Sequence, residues 1–349
     1  MKKVWFLALA LSGCAAGPQK SAHEIGGYFL PTTISPEARA TLTRLIPIVE
    51  KSRDERGIAH TAADFARRNA ENEARAAATN PPLLQALGVE AKAVTLGDVP
   101  AIELTPPVML SGGIVLYVHG GAWVGGSAAS TLGLPARISA ALERRVISVD
   151  YTLAPAARWP QITDQVVAAY AALIASGVVP QQIVLLGDSA GGNLIATSTL
   201  KLRDQGEPMP AALVMLSPGT DLTQSSDTFT TLRYADPALG PEDLLAAISL
   251  YADAKDWTNP YVSPVYGDFA KGFPPSLIQV GTKEMLLSDS VRLYQAIKQA
   301  GVDAELDVYE GMPHVWHSYL SDAPETKAAF AEIRRFVERR LAPKPSSPP

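Results

Sequence analysis

The amino-acid sequence predicts an α/β fold in which helices cover both faces of a mostly parallel central sheet. From about Val89 onward, short apolar runs alternate with segments long enough to form helices. This alternation is typical of consecutive βα units. Hydrophobic residues make up 47% of the 349 residues, which supplies enough apolar side chains for a large packed core.

The composition also limits the classes of partner. Asp and Glu outnumber Lys and Arg by 35 to 30, and the net charge is −5. A nucleic-acid-binding protein would need a basic face, so we expect no nucleic-acid partner. The chain has one cysteine, which excludes an intrachain disulfide and a cysteine-based zinc motif. Nothing in the sequence points to a particular oligomeric state.

The first residues have the features of an export signal. Lys2 and Lys3 precede the apolar run Val4–Leu11, and small residues follow the run up to Cys14. A charged start, a short apolar stretch and small residues before a cleavage site are typical of a secretory signal peptide. The run is too short to span a bilayer, which takes about 20 apolar residues. We therefore predict that residues 1–13 are a signal peptide.

The segment Leu11-Ser12-Gly13-Cys14 resembles the lipobox of bacterial lipoproteins. The resemblance implies cleavage before Cys14 and lipid attachment to its sulfur, so that acyl chains would hold the exported domain on the bacterial cell membrane. Ala15 and Ala16 stand where an aspartate retains some lipoproteins in the inner membrane, which favours the outer membrane if the cell has one. The alternatives are an ordinary signal peptide and a buried N-terminal strand with a chance cysteine.

Two helices are predicted before the first strand. Residues 14–35 mix Gly, Pro, Ser and Gln and are interpreted as a tether. A helical pattern covers Pro36–Arg53, since proline is favoured in the first turn of a helix. A second pattern, rich in Ala, Arg and Glu, covers about Ala62–Ala78, and two prolines follow at positions 81 and 82. Residues 36–85 are therefore predicted to form a helical N-terminal region.

Residues 86–341 are predicted to form the α/β domain. Helical patterns between its strands include Asp164–Ala175 and Ser288–Ala300, and a last helix spans about Pro324–Leu341. The predicted strands are Gly113–Val118, Val146–Asp150, Ile183–Leu186, Ala212–Leu216, Ser276–Val280 and a sixth near Ala304–Val308.

Two segments depart from this alternation. Residues 218–275 hold several prolines and one helical pattern near Pro241–Ala252, and we interpret them as an insertion over the edge of the sheet. Residues 342–349 are rich in Pro and Ser and are predicted to be disordered.

A candidate nucleophile lies in the pentapeptide Gly187-Asp188-Ser189-Ala190-Gly191. It follows the predicted strand Ile183–Leu186 and precedes a helix that starts near Gly192. A G-x-S-x-G sequence between a strand and a helix forms a tight turn that exposes the serine hydroxyl at the C-terminal edge of the sheet. We predict that Ser189 is the nucleophile. The alternative is a structural glycine turn without catalytic use.

The second motif is His119-Gly120-Gly121-Ala122-Trp123, directly after the strand Gly113–Val118. Ester hydrolysis builds negative charge on the carbonyl oxygen, and backbone N–H groups stabilise it by roughly 3–4 kcal/mol per donor. We predict that the donors are the N–H groups of Gly120 and Gly121, together with that of Ala190 after the nucleophile. His119 is expected to anchor the loop, and Trp123 is expected to form a wall of the pocket.

The base must come from the five histidines, His23, His60, His119, His314 and His317. In α/β-hydrolases the chain order is serine, acid, histidine, and only His314 and His317 follow Ser189. We favour His314, which comes just past the strand near Ala304–Val308. His317 is the lesser candidate, and its alternative interpretation is a histidine that points at solvent.

Two carboxylates follow the strand Ser276–Val280. Glu284 lies in the loop after the strand, whereas Asp289 follows Ser288 at a helix start, where a carboxylate interacts favourably with the helix dipole. We predict Glu284 as the acid of the triad and Asp289 as a helix-start residue, with Asp289 as the other candidate for the acid.

Together these motifs resemble the bacterial hormone-sensitive-lipase family of α/β-hydrolase esterases, in the subgroup with GDSAGG. The resemblance covers roughly Val108–Leu341, and the segment 150–155 is similar to the family's D-Y-R-L-A-P. It implies that residues 36–85 are a helical cap, with a contribution from residues 218–275. It also implies short acyl substrates and no cofactor.

The sequence departs from the family pattern at several positions. Ala122 stands where a third glycine often follows the histidine, and it leaves both proposed donors in place. Thr152 and Ala156 replace an Arg and a Glu, which puts a supporting ion pair in doubt. Glu284 stands where many relatives carry Asp.

The sequence therefore predicts a serine carboxylester hydrolase without a metal site. Ser189 would attack the ester carbonyl, His314 would transfer the proton, and Glu284 would orient His314. A lactone or amide hydrolase with the same machinery remains an alternative, and so does an acetyl esterase acting on a carbohydrate or xenobiotic. A lipid-anchored binding protein without catalysis is another, and an incomplete triad would distinguish it.

Overall fold

The computed structural model of the protein describes residues 29–342. The predicted signal peptide, Cys14, His23 and most of the predicted tether lie outside the described residues, and so do residues 343–349 of the predicted tail.

The centre of the molecule is an eight-stranded sheet in the order β1-β2-β4-β3-β5-β6-β7-β8. The strands β3 to β8 pair in parallel, whereas β1 and β2 form an antiparallel hairpin that pairs with β4 at one edge. The predicted α/β fold with a mostly parallel sheet is confirmed. The strands are β1 Glu90–Leu96, β2 Val99–Thr105, β3 Ile114–Val118, β4 Val146–Val149, β5 Ile183–Asp188, β6 Ala212–Leu216, β7 Ser276–Lys283 and β8 Ala304–Pro313.

Nine helices are described, in addition to short 3-10 turns. The helices are α1 Pro36–Arg56, α2 Ala62–Leu87, α3 Gly133–Leu142, α4 Trp159–Ala175, α5 Ala190–Asp204, α6 Asp227–Thr231, α7 Pro241–Tyr251, α8 Leu287–Gln299 and α9 Pro324–Leu341.

The core is built on both faces of the sheet. Every residue of β3, β4 and β6 is buried, because helices cover both faces of a parallel sheet and no strand face meets water. Apolar side chains of α4, α5 and α8 pack on one face, and those of α3 and α9 pack on the other. This arrangement brings the C-terminal ends of β3, β5, β7 and β8 to one edge.

Several elements differ from the sequence-based expectation. The strands β1 and β2 and the helices α3 and α6 were not predicted. Helix α2 was expected to end at Ala78, but it continues through Pro81 and Pro82 to Leu87 and ends at Gly88, whose φ of 64° is left-handed. The last turns pack Leu84 and Leu87 against the core, and this apolar contact holds the helix together where the prolines remove backbone donors.

Helix α2 lies close to the segment that follows β6. The Arg68 guanidinium pairs with the Asp243 carboxylate of α7 at 2.8 Å, and the same carboxylate accepts the Ala59 N–H at 2.6 Å. Asn69 donates to the Val124 carbonyl at 2.8 Å, which ties α2 to the loop after β3. Among the described residues, no helix has the length and apolar character needed to cross a membrane.

Candidate active site

Ser189 lies in the tight turn between β5 and α5. Its φ of 50° is left-handed, a conformation that costs a non-glycine residue about 1–2 kcal/mol. The flanking glycines make the turn possible, since a Cβ on Gly191 would overlap the carbonyl oxygen of Val118, and a Cβ on Gly187 would overlap the backbone of Gly191. The serine hydroxyl therefore stands at the C-terminal edge of the sheet, at the N-terminus of α5.

The structure brings three of the predicted site residues into one hydrogen-bonded chain. His314 Nε2 lies 2.9 Å from Ser189 Oγ, and His314 Nδ1 lies 2.9 Å from Glu284 Oε2. His314 follows the end of β8, and Glu284 follows the end of β7. Both distances are normal for hydrogen bonds, so a proton can pass from the serine to the imidazole without a change in the backbone.

Glu284 is held in place by its second oxygen. This side chain is fully buried, and its Oε1 accepts the Ser217 hydroxyl at 2.8 Å and the Gly281 N–H at 2.6 Å. Ser217 Oγ in turn accepts the Val315 N–H at 3.2 Å. Ser217 therefore links the carboxylate to the histidine loop, a role that sequence analysis did not predict.

His314 is suited to accept a proton. Burial favours the neutral imidazole, but the hydrogen bond to Glu284 and the charge of its carboxylate outweigh burial and raise the pKa of His314 above its ordinary 6.5. A nearby carboxylate stabilises the charged form of a histidine. The same partner fixes the ring so that Nε2 faces Ser189.

The two lesser candidates lie elsewhere. His317 was expected at solvent if it had no role, but it is fully buried and its Nε2 lies 3.0 Å from Gln279 Oε1. Burial lowers the pKa of His317 to about 3, so the ring stays neutral. Asp289 is in the first turn of α8 as predicted, but its Oδ2 accepts the N–H groups of Thr220 and Asp221, at 2.8 and 2.9 Å, and not those of its own helix.

The prediction for the Gly120 amide needs correction. Its N–H donates to Asp188 Oδ1 at 3.0 Å, because the buried Asp188 carboxylate lies directly beside the glycine. Among the described residues, the N–H groups of Gly121, Ala122 and Ala190 have no such acceptor. Gly121 and Ala122 line the cavity in front of Ser189, so the free donors are one residue further along the turn than predicted.

His119 and Trp123 support the loop that carries these donors. The His119 ring stacks on Tyr151 at 4.2 Å, and its Nδ1 lies 2.7 Å from the Gly120 carbonyl oxygen. Burial lowers the pKa of His119, which keeps it neutral. The Trp123 ring is buried and stacks on Tyr251 of α7 at 4.5 Å. The structure therefore places His119 beneath the loop and Trp123 in the wall of a cavity beside Ser189.

The fold and these motifs match a known family. A family model described as an alpha/beta hydrolase fold matches residues 115–318. The chain belongs to this α/β-hydrolase family.

Relatives of this α/β-hydrolase include enzymes and solved structures. It is 37% identical to an esterase of Acinetobacter venetianus over 225 residues, and this alignment covers 64% of this chain and 74% of that protein. It is 36% identical over 244 residues to an acetyl-hydrolase of Streptomyces hygroscopicus, covering 70% and 81%. A crystal structure of an esterase from the bacterial hormone-sensitive lipase family matches with a TM-score of 0.77 and 35% identity, covering 88% of this chain and 99% of that one.

Sequence analysis did not identify one carboxylate of the α/β-hydrolase site. Asp188 Oδ1 also accepts the hydroxyl of Tyr117, the penultimate residue of β3. Burial raises the pKa of Asp188, while the hydrogen bond from Tyr117 opposes that rise. The signal was present in the motif itself, since an acidic residue at the end of a buried strand needs partners.

Two cavities meet at Ser189 in this α/β-hydrolase. The larger has a volume of about 730 Å³ and is lined by His314, Gly121 and side chains of α2. The smaller has a volume of about 20 Å³, and Trp123 and Ala190 are among its walls. Within residues 29–342, no group of three or more His, Cys, Asp or Glu side chains is placed to hold a metal ion.

Proposed function

We propose that this α/β-hydrolase is a serine esterase that cleaves short-chain acyl esters through Ser189, His314 and Glu284. The hydrogen-bonded chain from Ser189 through His314 to Glu284 carries the proposal. The names of the relatives, esterase and acetyl-hydrolase, support the same class of reaction. A binding protein without catalysis would not need these three side chains to be joined by hydrogen bonds.

The reaction follows from the positions of the three side chains. Ser189 Oγ attacks the carbonyl carbon while His314 Nε2 takes the hydroxyl proton. His314 then gives this proton to the oxygen of the leaving alcohol as the ester bond breaks. Water then attacks the acyl-enzyme while His314 Nε2 takes its proton, and His314 returns this proton to Ser189 Oγ as the acid is released. Glu284 stabilises the imidazolium in both steps.

The carbonyl oxygen becomes negative during each attack. We assign its stabilisation to the N–H groups of Gly121, Ala122 and Ala190, which have no other acceptor among the described residues. A donor of this kind lowers the barrier by roughly 3–4 kcal/mol. Gly120 has an indirect role, because its N–H donates to Asp188 and this hydrogen bond holds the start of the turn.

Short acyl chains fit the walls of the site. Trp123, Leu244 and Ile248 close the smaller cavity beside Ser189, whereas a long open groove would favour longer chains by up to about 0.8 kcal/mol for each buried CH₂. We expect kcat/KM to be higher for acyl groups of about two to six carbons than for chains of about ten or more.

The test is hydrolysis of phenyl acetate by the wild type, Ser189→Ala and the exposed control Ser249→Ala. Loss of a triad nucleophile costs on the order of 10⁶ in kcat, so Ser189→Ala should be inactive while the control keeps wild-type rates. A Ser189→Ala variant with more than about a hundredth of the activity would refute the assignment.

We also propose that Cys14 carries lipid and holds the enzyme on a bacterial membrane. The lipobox-like segment 11–14 supports this proposal. The domain would then act at the membrane surface on small ester substrates.

A further inference from the structure

We propose that the substrate is an acetyl ester of a bulky, polar alcohol that carries a negative charge, and that Arg75 recognises that charge. This inference rests on the proposed esterase function and specifies the two halves of its substrate. It follows from the unequal cavities on the two sides of Ser189 and from the face that α2 presents to the larger one.

The position of His314 decides which half of the ester enters which cavity. The leaving alcohol must receive its proton from His314 Nε2, so its oxygen must lie on the side of the histidine. His314 lines the larger cavity, and it does not line the smaller one. Ser189 and Ala122 line both cavities. The alcohol therefore occupies the larger cavity, and the acyl chain points into the smaller one.

The smaller cavity limits the acyl group. Its volume of about 20 Å³ is little more than the roughly 10–15 Å³ that one water molecule needs on this measure. A methyl group is of similar size. Its apolar walls include Trp123, Phe229, Leu244 and Ile248, and Trp123 is fixed by its stack on Tyr251. An acetyl group fits this space, whereas longer acyl chains require these packed side chains to move.

The larger cavity is more open than the smaller one and has more polar groups in its walls. Its volume of about 730 Å³ lies in the range of about 300–1,000 Å³ that accommodates whole small-molecule ligands. Asn72, Arg75, Ala76 and Thr79 of α2 line it, and their spacing of three and four residues places them on one helix face. Ser130 and Thr131 add hydroxyl groups from the loop after β3.

Arg75 supplies the charge of this face. It is the only Arg or Lys among the described residues that line the larger cavity, and it makes no ion pair with another described residue. The one carboxylate in the lining, Asp188, is committed to Gly120 and Tyr117. An alcohol with a carboxylate, phosphate or sulfate group would therefore meet a free guanidinium.

The backbone that carries Arg75 is firmly placed. Asn69 of α2 donates to Val124 and accepts the Gly126 N–H at 3.2 Å. Glu73 accepts the Ser127 hydroxyl at 2.5 Å, and Asn80 donates to the Ala129 carbonyl at 2.8 Å. These bonds join α2 to the loop after β3 on both sides of Arg75, so the backbone from which the Arg75 side chain extends is fixed beside the cavity in front of Ser189.

The test compares two acetyl esters of similar shape, 4-acetoxybenzoate with a charged leaving phenol and 4-acetoxybenzamide with a neutral one. The full chain is assayed as wild type, Arg75→Gln and the control Arg67→Gln. Arg67 is on the same helix and its substitution makes the same change in charge, but it pairs with Asp64 and does not line the cavity.

We expect Arg75→Gln to lower the ratio of kcat/KM for the charged over the neutral ester by about twofold to fivefold, the range of an exposed ion pair. Arg67→Gln should leave the ratio unchanged, and added salt should lower the wild-type ratio. An equal ratio in wild type and Arg75→Gln, or an equal loss in both variants, would overturn the role of Arg75.

A second comparison tests the acyl side with acetyl and hexanoyl esters of one neutral phenol. We expect the acetyl ester to be hydrolysed faster, and equal or faster hydrolysis of the hexanoyl ester would overturn the assignment of the smaller cavity. If the wild type hydrolyses the neutral acetyl ester and Ser189→Ala does not, the esterase function is supported whatever these ratios are. No hydrolysis of any ester by the wild type would overturn both proposals.

Discussion

Two buried carboxylates follow β7, and their partners separate their roles. Glu284 contacts His314 and uses its other oxygen to bind Ser217 and Gly281. Asp289 instead accepts backbone N–H groups in the loop after β6, those of Thr220 and Asp221. Burial raises the pKa of Asp289 to about 7. The Glu284 carboxylate lies against His314, where its charge can stabilise the imidazolium.

We expect Glu284→Gln to lower kcat by about 10²- to 10⁴-fold with little change in KM, because the amide cannot stabilise the imidazolium. Asp289→Asn should reduce kcat by at most about tenfold, since its side chain does not contact His314. Steady-state kinetics of the two variants with phenyl acetate measure both effects. The reverse pattern would assign the acid to Asp289.

The charge of Glu284 should also be visible in the pH dependence. The neutral form of His314 is the base, and Glu284 raises the pKa of His314 above 6.5. We therefore expect kcat/KM to fall as the pH drops through a value above 6.5, and Glu284→Gln to move this inflection to lower pH. An inflection that stays in place in Glu284→Gln would show that another group controls the acid limb.

At the scale of single residues, the sequence was sufficient to identify Ser189, Glu284 and His314 as candidates, because chain order and strand ends restrict the choice. It was not sufficient for the donors of the turn after β3. Which N–H points at the substrate depends on where the buried Asp188 carboxylate lies, and that contact joins residues 68 positions apart. The motif indicates that a carboxylate at the end of a buried strand needs partners, but local sequence does not show which N–H group is one of them.

Among the elements, the ends of β3 and β5 are joined by side chains. Tyr117 and Gly120, from the end of β3 and the turn after it, both donate to Asp188 at the end of β5. This pairing sets the turn that carries the proposed oxyanion donors beside the nucleophile.

We expect Asp188→Ala to lower kcat more than it changes KM, by up to the 10²- to 10³-fold that loss of one oxyanion donor costs. The Gly120 N–H would lose its acceptor, and the turn would no longer be held at one position. Tyr117→Phe keeps the carboxylate and should have a smaller effect on kcat. Kinetics of the two variants with one ester provide the comparison, and unchanged kcat in Asp188→Ala would refute the positioning role.

The elements themselves were predicted to different degrees. Strongly apolar segments such as β6 matched the sequence-based bounds, because a buried parallel strand is a continuous apolar run. The strands β1 and β2 were missed because most residues of β1 are exposed. They form strands because they pair with each other and with β4, and such tertiary pairing overrides local preference. The end of α2 was missed for the same reason, since packing overrides the two prolines.

For the whole molecule, membrane attachment would depend on a segment outside the described residues. We expect Cys14→Ser to release the protein from the membrane fraction of a bacterial host or to block its processing, because the lipid would have no sulfur to attach to. Fractionation and immunoblotting of wild type and Cys14→Ser measure this. Equal membrane retention of the two forms would show that another feature anchors the chain.

Ser189 is proposed to form the covalent acyl-enzyme, and its reaction with a serine-directed phosphonate provides a direct test. The full chain is treated with an alkyl phosphonate ester, digested and analysed by mass spectrometry, with Ser189→Ala treated in parallel. We expect one phosphonate on the peptide that contains Ser189, loss of esterase activity in step with labelling, and no label on Ser189→Ala. A phosphonate on another residue with loss of activity, or full activity in a protein labelled at Ser189, would contradict this proposal.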